Sequence, residues 1–296
     1  MSLHRFFVLL ASILALGVSR SAEAAAPGDP TPKPVSLTFI ANEGVLIVGS
    51  TQKVLIDAPF TESYGIFAVP SAAVLGQIRT ATPPFDGLTC ILATHGDGDH
   101  ISLEEAGLHL QRDTRCAFFA PTAVTSAFGK LPFPADLTER MKSAAPGESP
   151  TRVKFGDLEV TAVPVAHLLR PPTMPPPPPN VAHVLTIDGI RFAHTGDMGP
   201  HTLDAIRRSV LPGEHIDVMI VNVYFFAAET IDSARAILAE VKPQVVLLAH
   251  LGPNAPAKQA EPILKLAGFP RMIALDTPMQ TYSVSREENG IRIEKR

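Results

Sequence analysis

The segment Thr94-His95-Gly96-Asp97-Gly98-Asp99-His100 places four metal-competent side chains within six residues, directly after the apolar run 88–94. A turn at the C-terminal end of a buried strand can fold several donors round one point. Imidazole and carboxylate together suit zinc, manganese or iron, and glycine lets the backbone approach an ion closely. Taken alone, such a loop is also compatible with a solvated turn, the less favoured reading.

Three later positions argue for the ion. His167 follows the apolar stretch 160–165, Asp197 follows strand and turn in Phe192-Ala193-His194-Thr195-Gly196-Asp197, and His250 ends the run 245–249. Each lies just beyond the C-terminal end of an apolar strand, where α/β sheets gather ligand-binding loops. Four strand ends are therefore expected to converge on one site.

Periodicity outlines the rest of the chain. After a Pro-rich lead at 27–34, strands are expected at 35–40, 45–48 and 53–56 with turns at 42–44 and 49–51, forming a β-meander. A helix at 71–79 leads to the strand 88–94, followed by a helix at 103–110, a strand at 116–119, a helix starting near Pro121 and a loop rich in Pro, Ala and Ser. Strands at 152–155 and 158–165 complete the first half. The second half repeats this outline, with strands at 181–187, 190–193, 217–223 and 244–249, helices at 203–209, 231–241 and 257–267, and strands toward the C-terminus. The whole reads as β-rich sheets flanked by helices. Residues 171–179, Pro-Pro-Thr-Met and five further prolines, can be neither helix nor paired strand and should form a stiff polyproline II loop. A rigid wall of the site or a surface loop is preferred over a partner-recognition motif.

The N-terminus reads as a separate element. His4 and Arg5 precede an uncharged run at 6–18, and Ala22-Glu23-Ala24 offers a cleavage site before Ala25. A positive end, a short apolar core and a small-x-small exit describe a secretory signal, the alternative being a retained tethering helix. The expectation is a signal peptide at 1–24, one domain at 25–296, a periplasmic or secreted protein, and no stable membrane insertion after cleavage. No cysteine near the exit points to a lipoprotein. Cys90 and Cys116 fall in apolar strand-like stretches and are read as buried thiols in preference to a bridge. A net charge of −4 without a long basic run argues against a nucleic-acid substrate and leaves a small molecule as the expected partner.

The ordered set of His95, Asp97, Asp99 and His100, then His167, the Gly196-Asp197 pair and His250, resembles the metallo-β-lactamase superfamily, whose main motif is His-x-His-x-Asp-His. The opening 37–57 is similar to the family's first meander, most like its lactonase-like branch. The resemblance implies an α/β fold, a four-layer αββα sandwich of two mixed sheets between helices. It also implies two divalent metal ions, zinc first and manganese or iron as alternatives. His95, Asp97 and His167 would hold the first ion, Asp99, His100 and His250 the second, and Asp197 would bridge them. Asp57 resembles the family's buried acid and is expected behind the ligands, with His194 as a further hydrogen-bonding group or an ordinary core histidine.

One position departs from the family motif: Asp97 stands where it has histidine. Two divalent ions, three carboxylates and a bridging hydroxide sum to a neutral set, where histidine would leave one positive charge. Bound water should then be less acidic, with preference moving from zinc toward manganese or iron. The expected chemistry is hydrolysis of a carbonyl or phosphodiester centre by a metal-bridged hydroxide, with Asp99 orienting it and moving its proton. Tyr224 and Arg170 are candidate substrate contacts. An iron-dependent oxidoreductase of the same fold and a non-catalytic metal-binding protein are the alternatives. His109, His183, His201 and His215 are read as ordinary.

Overall fold

In a computed structural model the described residues are 34–147 and 149–296. The expected signal peptide lies outside them. Among the described residues no helix is long and apolar enough to cross a membrane.

The chain begins with an antiparallel meander, β1 (Val35–Ala41), β2 (Gly44–Val48) and β3 (Lys53–Ile56). Helix α1 (Ala72–Arg79) leads to β4 (Cys90–Leu92), α2 (Leu103–Arg112) to β5 (Ala117–Pro121), and α3 (Thr122–Phe128) and α4 (Ala135–Glu139) to β6 (Met141–Ala144). Each of these strands lies parallel to its predecessor, because a helical crossover returns the chain to the same end of the sheet. Next come β7 (Thr151–Phe155), β8 (Leu158–Val165), β9 (Asn180–Ile187) and β10 (Ile190–His194), paired antiparallel. The crossovers α5 (Leu203–Arg208), α6 (Ile231–Val241) and α7 (Pro256–Ala267) then alternate with the parallel strands β11 (Val218–Asn222), β12 (Val245–Ala249) and β13 (Met272–Ala274). A last hairpin, β14 (Thr281–Glu287) and β15 (Gly290–Lys295), returns to pair with β1.

Two sheets result, in the orders β15-β14-β1-β2-β3-β4-β5-β6 and β13-β12-β11-β10-β9-β8-β7. Side chains alternate across each strand, which explains the layers. Val54, Ile56, Cys90 and Leu92 meet Val218, Ile220, Val245 and Leu247 in a shared core between the sheets. Their neighbours Leu55 and Ile91 face outward beneath Val74, Ile78 and Leu110 of α1 and α2, and Met219 and Val221 face Ile237 and Leu238 of α6. With both faces covered, these central strands read as continuous apolar runs. This is the expected αββα sandwich.

Three features differ from expectation. The loop after α3 contains α4 and β6, and β6 carries Lys142 and Ser143 exposed at a sheet edge, so it shows no apolar alternation. The strand expected at 88–94 is only Cys90–Leu92, since the chain beyond leaves the sheet to form the site. The C-terminal strands join the first sheet, although the sequence placed no partner beside them. Cys90 and Cys116 are buried and unbridged, and burial pushes both thiols above their ordinary pKa.

Candidate metal centre

The chain leaves β4 through Thr94, whose amide donates to Asp57 Oδ1 at 2.8 Å and whose hydroxyl donates to Asp57 Oδ2 at 2.5 Å. It then turns sharply, with Asp97 O accepting from the amides of His100 and Ile101 at 3.0 and 3.1 Å, before Ser102 caps α2. Two further loops lock together behind this turn: Leu168 donates its amide to Asp197 O at 2.7 Å, Gly199 to Ala166 O at 2.9 Å, and His167 bridges to Met198. Asn222 clamps the second loop by donating to Gly196 O and Met198 O, both at 3.1 Å. His250, at φ 65°, leaves β12 with its amide on Asn42 O at 2.9 Å.

Glycine matters most at a position other than those expected. A Cβ on Gly96 would meet only Val124 at 3.4 Å, and one on Gly98 would press on the side chain of Glu62 at 2.7 Å and the Tyr64 hydroxyl at 3.2 Å, with no backbone in its way. Gly196 has φ +51°, and a Cβ there would lie 2.4 Å from Thr94 Oγ1 and 2.6 Å from Asn180 Oδ1. The loops bearing His95 and Asp197 cross at Gly196, so it is this residue that permits the close approach.

All seven expected donors meet at this rim, in two sets. His167 Nε2 lies 3.3 Å from Asp97 Oδ2 and 3.3 Å from Asp197 Oδ2, and His95 Nε2 lies 3.4 and 4.0 Å from the same two oxygens. The other carboxylate oxygen, Asp197 Oδ1, lies 3.3 Å from His250 Nε2 and 3.6 Å from His100 Nε2, while Asp99 Oδ2 is 3.4 and 3.7 Å from those nitrogens. Asp197 thus turns one oxygen to each set. Donors held about 2.0–2.2 Å from one ion in a tetrahedron stand about 3.3–3.6 Å apart, close to most of these separations.

The histidines are oriented for that task. His100 Nδ1 donates to Asp57 Oδ2 at 2.9 Å, His95 Nδ1 to the Thr94 hydroxyl at 3.0 Å, and His167 Nδ1 to Leu168 O at 2.9 Å. Each bond leaves the Nε2 lone pair facing the carboxylates. All four Nε2 atoms and Asp197 Oδ1 are buried without a hydrogen-bond partner among the described residues. Buried polar atoms are rarely left so, and a cluster of them aimed at one another fits a pair of cations.

The carboxylates are held charged. Burial raises the pKa of Asp97, but the close imidazoles of His167 and His95 and the charge of Arg170 outweigh it and hold the group well below the carboxylate range. Asp197 is likewise raised by burial and lowered further by His250, His100, His95 and His167. Asp99 follows the same pattern through His250. Asp57, fully buried, is held low by the His100 bond against its own desolvation. Glu43 behaves oppositely: burial, then the charges of Asp197, Asp57 and Asp99, push it well above the usual carboxylate range.

Asp57 sits behind the ligands as expected. His194 touches no donor: it donates Nε2–H to Glu43 O at 2.8 Å and accepts from the Gly196 amide at 3.3 Å, bracing the loop that carries Asp197. Asn42, visible in the sequence only as a turn residue, donates to Asp99 Oδ2 at 3.1 Å and Asp99 O at 3.0 Å. Phe67, in a stretch without periodicity, stands edge-on to His250 with ring centroids 4.3 Å apart. Tyr64 accepts the Gly98 amide at 3.1 Å. Neither aromatic had a local signal.

Tyr224 lies at the rim, 46 % exposed, its ring 5.5 Å from that of His250. Arg170 is placed differently from expectation. Its guanidinium pairs with Asp97 Oδ2, so its charge is directed at the centre and not at open substrate space. The neutral formal charge inferred for the site therefore omits a cation in contact with it. His183 donates Nε2–H to Ala93 O at 2.9 Å and His109 donates Nδ1–H to Ile78 O at 2.6 Å, as core histidines do. His201 instead borders a cleft of about 740 Å³ beside His167, walled by Pro177, Pro178, Pro179, Val165, Leu169 and Ala205, so the polyproline segment forms one of its sides.

A two-sheet sandwich with helices on both faces and a His/Asp cluster at the strand ends defines the metallo-β-lactamase class of fold. The match of residues 52–262 to the family model for the beta-lactamase superfamily domain places the chain in that superfamily. The family model is broader than the lactonase-like branch. Solved structures share the fold. Igni18, a metallo hydrolase from Ignicoccus hospitalis, is 17% identical with a TM-score of 0.53, covering 84% of this chain and 98% of its own. Zinc-bound PqqB from Methylobacterium extorquens is 15% identical with a TM-score of 0.53, covering 80% and 86%. CmlA, a diiron β-hydroxylase from Streptomyces venezuelae, is 12% identical with a TM-score of 0.56, covering 90% of this chain and 55% of its own. Comparison with curated protein sequences finds no match.

Proposed function

We propose that this protein is an exported hydrolase that holds two divalent metal ions, His95, Asp97 and His167 taking the first, Asp99, His100 and His250 the second, and Asp197 both. The observation that carries the reading is the division of Asp197's two oxygens between two sets of unpartnered histidine nitrogens. When bound, such ions acidify water and polarise a carbonyl or phosphoryl oxygen. The donor chemistry fits zinc first, with three carboxylates also suiting manganese or iron.

The chain's own groups do the remaining work. Asp99, steadied by Asn42 at 3.1 Å, is the group placed to accept and return a proton at the second set. Asp57 and Thr94 keep the His100 and His95 tautomers fixed throughout. Tyr224, at the rim beside His250, is the candidate substrate contact, and the cleft beside His167 gives an apolar limb of a small-molecule lactone, ester or amide a surface that excludes water. The N-terminal 24 residues support a periplasmic or secreted location.

Two carboxylates beside two imidazoles in the first set support a second reading, oxidation at iron, which the likeness in fold to a diiron hydroxylase keeps in view. Metal analysis of the purified protein, followed by lactone, ester, β-lactam and phosphodiester substrates under the metal found, separates the two. Hydrolysis and bound metal should disappear together in His95→Ala and Asp197→Ala. Full activity in both variants would sink the hydrolytic reading, and oxygen consumption in its place would favour the second.

A further inference from the structure

Asp97 is the one ligand position that departs from the family motif, and Arg170 is the one cationic side chain paired with a donor of the centre among the described residues. The two are linked by architecture. Arg170 follows His167 in the same loop, and that loop is pinned by Leu168 N on Asp197 O at 2.7 Å and by His167 Nδ1 on Leu168 O at 2.9 Å. Pro171 follows immediately, which confines Arg170 to an extended backbone and starts the stiff Pro-rich segment. Both partners are largely shielded, with side chains 17% and 19% exposed. A guanidinium held in that way keeps its charge, since arginine does not release its proton, and a charge-assisted bond to carboxylate in a partly dry site is among the stronger polar contacts.

We infer that Arg170 is a positioning residue that compensates for aspartate at position 97, so that the Asp97–Arg170 pair stands electrostatically where a neutral histidine would. The inference rests on the two-metal reading above. Two divalent ions, three carboxylates and one hydroxide are neutral, and adding the guanidinium restores the single positive charge of a set with histidine at that position. It also fixes Asp97: Oδ2 faces His95 and His167 at 3.4 and 3.3 Å while Arg170 limits its rotation. Asp97 and Arg170 should then be exchangeable as a unit and harmful when changed one at a time in the direction that leaves the cation unpaired.

The test is a metal titration of four full-length proteins with Zn²⁺ against a chromophoric chelator: wild type, Arg170→Gln, Asp97→His, and the double variant. The second set, which none of these changes touches, reports in each protein whether the fold is intact by retaining one ion. The wild type should bind two ions. Asp97→His, which faces an unpaired guanidinium with a dication, should hold its first ion about a hundredfold more weakly, and adding Arg170→Gln should recover at least about tenfold of that loss. Arg170→Gln alone should still bind two ions, because the freed carboxylate keeps its full charge. Equal weakening in Asp97→His and the double variant would overturn the compensation and leave the two-metal reading intact. A wild type that takes up no ion would overturn both.

Discussion

Asp57 Oδ2 accepts from His100 Nδ1 at 2.9 Å and from the Thr94 hydroxyl at 2.5 Å, so one fully buried carboxylate, which contacts no ion-facing nitrogen, sets the orientation of both His100 and His95. Asp57→Ala removes this support and strands the Thr94 amide and hydroxyl without an acceptor. Zinc affinity should fall about 10–100-fold in chelator competition, as for other lost supports of metal ligands. Each stranded donor should also cost about 1–3 kcal/mol in denaturant unfolding of the metal-free protein. Unchanged zinc affinity would show that the tautomers are fixed by something else.

Acid sensitivity should report on His183. Burial lowers its pKa from 6.5 to about 4, against the smaller opposing effect of its bond to Ala93 O. The folded value lies below the unfolded one, so as pH falls through 6.5 the unfolded chain gains a proton here that the folded chain refuses until about pH 4. Stability is therefore complete above pH 6.5 and declines toward pH 4, by up to about 3 kcal/mol from this group. His183→Gln, which keeps a donor for Ala93 O, should lose less stability across that window than the wild type when both are unfolded in urea after metal removal. Parallel losses would refute the assignment.

Two glycines should answer alanine with opposite signs. Gly196→Ala sets a Cβ against Thr94 and Asn180 at a left-handed φ, and should cost at least about 2 kcal/mol and reduce bound metal, since Asp197 is the next residue. Gly76, inside α1 with nothing within 4 Å of its would-be Cβ, should gain about 0.5–1 kcal/mol as alanine. Thermal or urea unfolding of the pair reads both, and a tolerated Gly196→Ala would mean the two loops are not in tight contact.

Ala205 is exposed on α5 and faces the apolar cleft, so Ala205→Trp should fill space without disturbing the core. Under the hydrolytic reading, kcat/KM for esters with long apolar acyl chains should fall about tenfold or more, with short-chain esters and metal content unchanged. A uniform loss across chain lengths would place the substrate's apolar limb elsewhere.

Much of the fold was legible in the sequence because burial leaves periodic traces. Strands covered on both faces, such as β11 and β12, appear as unbroken apolar runs, and Ser71 and Ser102 mark the starts of α1 and α2 by accepting the amides of Val74 and Glu105. β6 left no trace: it is a strand through its pairing with β5, and its exposed Lys142 and Ser143 record nothing of that. The pairing of β14 with β1 joins opposite ends of the chain, a choice made by sheet closure and not by local propensity.

By itself the sequence determined the chemistry on offer: which imidazoles and carboxylates follow apolar strands, and hence that they meet at one rim when those strands align. Tertiary structure alone decided how they are disposed. It divided Asp197's oxygens between two sets, buried Glu43 so that its carboxyl is pushed above the usual range, crossed two loops at Gly196, and laid Arg170 on an aspartate 73 residues earlier in the chain. Those outcomes depend on distances of a few ångströms between segments remote in sequence, and such distances follow from how two twisted sheets pack, which no local pattern of residues encodes.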